Sequence, residues 1–172
     1  MERKNIRVPL NTESIKMLRA GDRVLLSGEI YTARDAAHAK LMDILLKKEP
    51  LPIPSGSCIY YTGPCPSKNG EIIGPCGPTT SARMDPYTPQ LVKYGITGFI
   101  GKGARSQTVN DSMQGSAIYF VVTGGAAVLI SHAVKQCEMV AFPELDSEAV
   151  RRLTIADMPA IVATDAVGNS IF

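Results

Sequence analysis

The order of apolar and polar positions divides this chain into short segments of changing period. Lys4–Leu10 (KNIRVPL) alternates weakly and predicts a strand. Ser14–Ala20 predicts a short helix ended by Gly21. Arg23–Tyr31 (RVLLSGEIY) has the apolar centre of a strand. Thr32 then predicts a helix N-cap, with Asp35 completing an imperfect capping box. Ala37, Leu41, Ile44 and Leu45 recur at helical spacing within Ala33–Lys48. Pro50, Pro52 and Pro54 stop that helix and stiffen the link after it.

Beyond the prolines, Ser57–Thr62 (SCIYYT) predicts a strand, and the Gly- and Pro-rich stretch Gly63–Pro78 a loop. Thr88–Tyr94 predicts a helix with Gly95 as its stop. Ile96–Gly101 and Ala117–Val122 (AIYFVV) predict buried strands, separated by a helix over Ser106–Gln114. Ala126–Val134 fits a helix and Cys137–Phe142 a strand. In the tail, Ala149–Ile155 and Ala160–Thr164 read as two strands. A turn at Asp165–Asn169 lets Ile161–Phe172 close as a hairpin. Alternating strands and helices with a β-rich C-terminal part predict a layered α/β domain built on a mixed sheet.

A length of 172 residues is that of one domain, which is expected to span residues 1–172 and bury a sizeable core. With no Trp, four Phe and six Tyr, that core is expected to be mainly aliphatic. A net charge of +2 without a basic stripe argues against a nucleic-acid partner, but is compatible with a cationic pocket for a small anion. The first residues carry no apolar run of a signal peptide, and no segment approaches the ~18 apolar residues of a membrane span. A cytoplasmic location is therefore expected. Cys58, Cys65, Cys76 and Cys137 form no C-x-x-C pair and read as small buried hydrophobes. Without a closely grouped set of thiolates, or a G-x-S-x-G or H-E-x-x-H motif, a complete enzyme is hard to build from this chain alone.

Three stretches carry candidate chemistry. In Gly77–Tyr87 (GPTTSARMDPY), the hydroxyls of Thr79, Thr80 and Ser81 follow a Gly-Pro turn and precede Arg83. If Thr79 or Thr80 opens a helical turn, its free N–H groups, the hydroxyls and the planar guanidinium can converge on one carboxylate. The same residues also suit a capped helix with a surface ion pair. Arg34 falls in the first turn of a predicted helix, where a cation is mildly unfavourable unless an anion accompanies it. His38, four residues on, shares its helix face and reads either as a site residue or as an ordinary histidine. Lys102 lies between Gly101 and Gly103 at the end of an apolar strand, where ligands gather in open α/β sheets. Thr123-Gly124-Gly125 occupies a similar place, to line a site or to turn the chain.

Together these blocks resemble a known family. Gly77-Pro78-Thr79-Thr80-Ser81-x-Arg83-Met84-Asp85 is similar to the signature of the C-terminal domain of class I fumarases and of the beta subunits of fumarase and L-tartrate dehydratase. Leu26–His38, Ile100–Gly103, Ala141–Leu145 and Asp157–Ala160 extend the resemblance over nearly the whole chain. Ala82 departs from a glycine common in relatives. The resemblance implies a swivelling β/β/α domain. It implies a partner alpha subunit carrying a [4Fe–4S] cluster, bound there and not by this chain. It implies reversible hydration of fumarate to malate, or dehydration of tartrate. Arg34, Thr80, Ser81, Arg83 and Lys102 would bind the dicarboxylate, and Thr79 would take part in proton transfer. A non-catalytic anion-binding or assembly module is the alternative, and the isolated chain could self-associate through the surface meant for its partner.

Overall fold

The computed structural model describes residues 3–172. In chain order it contains β1 (Lys4–Val8), α1 (Thr12–Met17), β2 (Arg23–Thr32), α2 (Asp35–Leu46) and β3 (Cys58–Tyr60). There follow α3 (Thr88–Tyr94), β4 (Gly98–Gly101), α4 (Gln107–Met113), β5 (Ile118–Val121), α5 (Ala127–Ala133), β6 (Val134–Ala141) and β7 (Val150–Thr164). Short 3-10 segments cover Ser81–Met84 and Pro143–Glu148. The architecture is mixed α/β, as the alternating pattern predicts. Two helix boundaries follow their sequence signals closely. Gly95 ends α3 in the left-handed conformation with φ of 115°. The Ser106 side chain caps α4 by accepting from the Val109 N–H.

Strands β1, β2, β3, β4 and β5 are neighbours in that order, and all run parallel. Strand β7 runs antiparallel to β2 and also to β5, so β2, β3, β4, β5 and β7 close into a barrel-like ring. Strand β6 adds to the other part of β7, and β1 to the first half of β2.

The tail differs from its sequence pattern. Ala149–Ile155 and Ala160–Thr164 are not two strands but parts of one 15-residue strand. Asp157 takes a left-handed φ of 53° and absorbs the irregularity, with its N–H donating to Ser27 Oγ at 2.9 Å. Pro159 lies opposite Leu25 within the ladder, a place that proline normally vacates. The long-range pairing with β2 overrides that local preference. The expected turn at the chain end is present: the Asp165 N–H donates to Asn169 O at 3.0 Å and the Ile171 N–H to Ala163 O at 2.9 Å, on either side of a Thr164–Ser170 bridge.

The ring is buried on both faces. Cys58, Tyr60, Ile100, Ile118 and Phe120 join one apolar cluster with Leu26, Ile30, Leu153 and Val162. Ile59, Tyr61, Phe99 and Tyr119 alternate with them and join a second cluster, under Leu41 of α2, Leu91 of α3 and Val109 and Met113 of α4. Two-faced burial explains the unbroken apolar runs read from the sequence. Each fully buried aliphatic side chain contributes about 1.5–3 kcal/mol.

One glycine is required by the closure. Gly28 has φ of 131°, at a register shift in the β2–β7 pairing, and an added Cβ would lie 1.9 Å from the Val8 carbonyl oxygen of β1. Gly28→Ala should therefore cost about 2 kcal/mol or more of unfolding free energy, read by urea denaturation. A midpoint equal to wild type would show that β1 gives way freely.

Candidate functional site

The carboxyl ends of β2, β3, β4 and β5 lie together because the four strands are parallel neighbours. Arg34 leaves the first, Thr62-Gly63 the second, Lys102 the third and Thr123-Gly124 the fourth. After the Gly63–Pro78 loop, the chain returns to this rim. The Thr79 N–H donates to the Tyr61 carbonyl at 2.7 Å and the Ser81 N–H to the Lys102 carbonyl at 3.0 Å. Thr79–Ser81 is thus wedged between the ends of β3 and β4, with Thr80 bridged to Lys102.

That geometry corrects the helical turn expected to open at Thr79 or Thr80. The helix-like piece is a four-residue 3-10 turn beginning at Ser81, and Thr80 makes no capping bond. The N–H groups of Thr79 and Ser81 are already used by the neighbouring strand ends. What remains toward solvent are the hydroxyls of half-buried Thr79 and exposed Thr80, and the Arg83 guanidinium. Ser81 is buried. Its Oγ accepts the Lys102 N–H at 3.1 Å and shares a 2.8 Å bond with the Tyr119 hydroxyl, which also donates to the Gly103 carbonyl at 2.7 Å. Gly101 makes room for this, since a Cβ there would lie 2.0 Å from Ser81 Oγ.

The start of α2 is also built differently from its sequence signal. Thr32 is not a cap but the buried last residue of β2, and its hydroxyl donates to Ala149 O at 3.3 Å and accepts from the Arg151 N–H at 3.0 Å. Arg34 occupies the cap position with no side-chain capping bond. The missing acceptor comes from far along the chain: Glu148 Oε1 takes the Ala36 N–H at 3.2 Å and pairs with Arg34 Nε at 3.2 Å. Arg151 holds the segment that carries Glu148, donating to the carbonyls of Asp146, Ser147 and Ala149.

Asp35 completes the arrangement. Its Oδ2 lies 3.4 Å from Arg34 Nε and 3.0 Å from Arg83 Nη2, so two guanidiniums meet on one carboxylate oxygen. Burial alone would raise the Asp35 pKa, but its own backbone N–H, Arg83 and Arg34 outweigh that and hold it below its ordinary value. Arg34 lies against Gly63, where a Cβ would stand 3.1 Å from its Cδ and Nη1. The side chains of Arg34 and Arg83 are 29% and 48% exposed, so both reach solvent. Lys102 is exposed, has no ion pair among the described residues, and runs near Gly124, where a Cβ would be 3.9 Å from its Cδ. The fold thus joins Arg34 to Arg83, and Lys102 to Thr80 and Ser81, on one rim.

Beneath the rim lie Arg105, which the sequence did not single out, and His38, which it did. Arg105 is buried and donates from Nε to Asp85 Oδ1 at 2.6 Å, from Nη1 to Tyr61 Oη at 3.2 Å and from Nη2 to Thr88 Oγ1 at 2.6 Å. Its guanidinium carbon lies 5.0 to 6.0 Å from the ring centres of Tyr119, Tyr61 and Phe99. His38 is also buried, with Nδ1 2.9 Å from the Arg34 carbonyl. A carbonyl only accepts, so Nδ1 carries the proton, and Nε2 is left buried without a partner. No local pattern announces Glu148 or Arg105, whose partners are all distant in sequence; His38 carried a signal only in its helical spacing from Arg34.

The cysteines do not fit a cluster site. Cys58 and Cys76 are buried and their thiols are pushed up to about 12, chiefly by burial. Cys65 is exposed, and no group of three or more Cys, His, Asp or Glu side chains able to hold a metal occurs among the described residues.

Comparison with known proteins decides the family. The sequence family described as Fumarase C-terminus matches residues 1–172. The chain belongs to this family. It is 37% identical over 166 residues to fumarate hydratase 2 of Leishmania major, covering 93% of this chain and 29% of that protein. It is 36% identical over 181 residues to the aerobic class I fumarate hydratase of Escherichia coli (strain K12), covering 99% of this chain and 33% of that one. The chain therefore spans about a third of the length of these fumarate hydratases. A putative L(+)-tartrate dehydratase subunit beta of Methanocaldococcus jannaschii is 37% identical over 171 residues, covering 95% of this chain and 88% of that subunit. Within this family fold, the rim is the candidate site. No helix among the described residues is long and apolar enough to cross a membrane.

The buried histidine beside the rim makes a pH prediction. Burial pushes the His38 pKa down from 6.5 to about 4, against the pull of the Arg34 carbonyl. Unfolded chains therefore take up this proton before folded ones do. The stability from neutral His38 is complete above pH ~6.5 and falls as pH drops toward ~4, by roughly 1–3 kcal/mol. Denaturation curves from pH 7 to 4.5 should show this slope in wild type and a flatter one in His38→Leu. Superposable slopes would place the acid sensitivity elsewhere.

Proposed function

We propose that this chain is the dicarboxylate-holding part of an iron–sulfur hydro-lyase, working as a beta subunit, with fumarate and malate as the substrate pair. The observation that carries the reading is the meeting of Arg34 and Arg83 on Asp35, on the rim that also carries Thr79, Thr80 and Lys102. We read residues 1–172 as one domain, of the swivelling β/β/α kind, placed in the cytoplasm. The donor set of this chain does not suit a [4Fe–4S] cluster, so the cluster belongs to a partner alpha subunit facing the rim.

The chemistry asked of this chain is that of grip and charge. A diacid has two anionic ends, and a planar guanidinium takes two oxygens of one end at once. Arg34 and Arg83 receive one carboxylate, with the Asp35 carboxylate keeping the two cations close before substrate arrives. Lys102 and the Thr80 hydroxyl face the rest of the molecule. Fixing both ends removes orientational entropy from the barrier. Fixed cations also favour the negative charge that develops as a carbon acid next to a carboxylate loses its proton. In this reading Thr79 shares in that proton transfer, together with an acidic group from the partner. Ser81 supports Lys102 from below through its buried hydroxyl.

A second reading has its own support. One relative of similar length to this chain is named as a putative L(+)-tartrate dehydratase subunit beta. The same clamp serves a dihydroxy diacid, with loss of water as the net reaction. Co-expression with a cluster-bearing partner under anaerobic conditions, followed by a screen of fumarate, malate and tartrate, separates the two. A cluster-loaded complex inert to all such diacids would indicate an assembly module instead. In an active complex, Arg83→Ala should lower kcat/KM by about 10²-fold or more. Its unfolding free energy should stay within about 0.5 kcal/mol of wild type, because the side chain is at the surface. Near-normal turnover in that variant would remove Arg83 from the clamp.

A further inference from the structure

Arg83 stands on a short stretch of chain, Ser81–Asp85, whose two ends are fixed from beneath to the turn that begins with Lys102. At one end, Asp85 presents both carboxylate oxygens to the Lys102–Ser106 turn: Oδ1 takes Arg105 Nε at 2.6 Å and Oδ2 takes the Ser106 N–H at 2.8 Å. At the other end, Ser81 Oγ is bonded to the Lys102 N–H at 3.1 Å and to Tyr119 Oη at 2.8 Å. Arg105 meets the first end directly and the second through Tyr119, because its guanidinium also lies 5.0 Å from the centre of the Tyr119 ring. Its other two nitrogens reach Tyr61 Oη, whose main chain holds Thr79, and Thr88 Oγ1, which in turn donates to the Met84 carbonyl at 2.9 Å. Arg83 is therefore close in sequence to Asp85, Lys102 is close in sequence to Arg105 itself, and Thr79 is bonded to the main chain of Tyr61.

We propose that Arg105, paired with Asp85, is the positioning residue of the rim: it fixes the spacing between Arg83 and Lys102 and thereby sets how well a diacid is held. The effect on substrate rests on the diacid reading above, whereas the coupling of the two loops does not. Arg105 makes no contact with the solvent side of the rim, since its side chain is fully buried. It is not interchangeable with lysine. A lysine keeps the charge, but its three N–H groups radiate from one nitrogen and it has no planar face, so it cannot reach Asp85, Tyr61 and Thr88 from three separate atoms while lying against three rings.

The test compares Arg105→Lys and Asp85→Asn with Leu18→Ala, a buried residue at the end of α1, matched by denaturation for its loss of stability. Amide hydrogen exchange on the isolated chain reads the coupling. The Ser81, Lys102 and Ser106 amides should exchange at least about tenfold faster in the two rim-support variants, with the β2 and β5 amides little changed. Leu18→Ala should leave those three amides as they are. In the active two-chain complex, Arg105→Lys should raise KM for the diacid about tenfold or more, with a smaller change in kcat. Unchanged exchange at Ser81, Lys102 and Ser106 in both variants would overturn the proposal, as would an equal KM rise in Leu18→Ala. If Arg105→Lys does not fold, Asp85→Asn carries the same two readouts. A wild-type complex that turns over no diacid would defeat the functional reading, while the exchange arm would still decide the coupling.

Discussion

Strand β7 pairs antiparallel with both β2 and β5, and that closure governs everything else in the molecule. Without it, the parallel strands β2 to β5 would leave an open sheet with an unpaired edge. With it, their carboxyl ends form part of a closed rim, and the residues that leave those ends are held near one another. The closure is made possible by length: 15 residues allow one strand to serve β5, β2 and β6 in turn. Asp157 falls at the register shift between Leu26 and Gly28, where the Ser27 hydroxyl takes its N–H.

Electrostatics on the rim follows from a balance of like charges. Arg34 and Arg83 would repel one another in the absence of an anion, and Asp35 and Glu148 supply two. Both carboxylates also suit the N-terminal end of α2, where unpaired N–H groups favour negative charge. Glu148 therefore has two tasks, completing a helix start and directing a guanidinium. Surface ion pairs of this kind contribute little to stability, commonly ~0–1 kcal/mol. Their consequence is orientation: the outward nitrogens of both arginines are left to face solvent together.

A second, buried layer lies under this exposed one. Arg105 is paired with Asp85 and packed among three rings, and removing either partner would leave a buried charge alone. His38 is kept neutral against the first turn of α2. The exposed groups can thus exchange partners when a ligand arrives, while the groups that position them stay fixed.

Local pattern alone fixed much of the element list. Tyr-Gly at the end of α3, Ser106 at the start of α4 and the AIYFVV run of β5 each carry their own signal, because capping and two-faced burial act over a few residues. The linked motifs around Arg34, Thr79–Arg83 and Lys102 are legible as a family signature in the sequence itself. Only the tertiary structure decided that Thr32 belongs to a strand, that Glu148 serves as the missing cap, and that Thr79–Ser81 is wedged between two strand ends instead of opening a helix. The same holds for Asp35 as a shared carboxylate and for Arg105 as a support. In each of these cases the deciding partner lies many residues away, and hydrogen bonds and ion pairs between distant residues leave no period in the sequence.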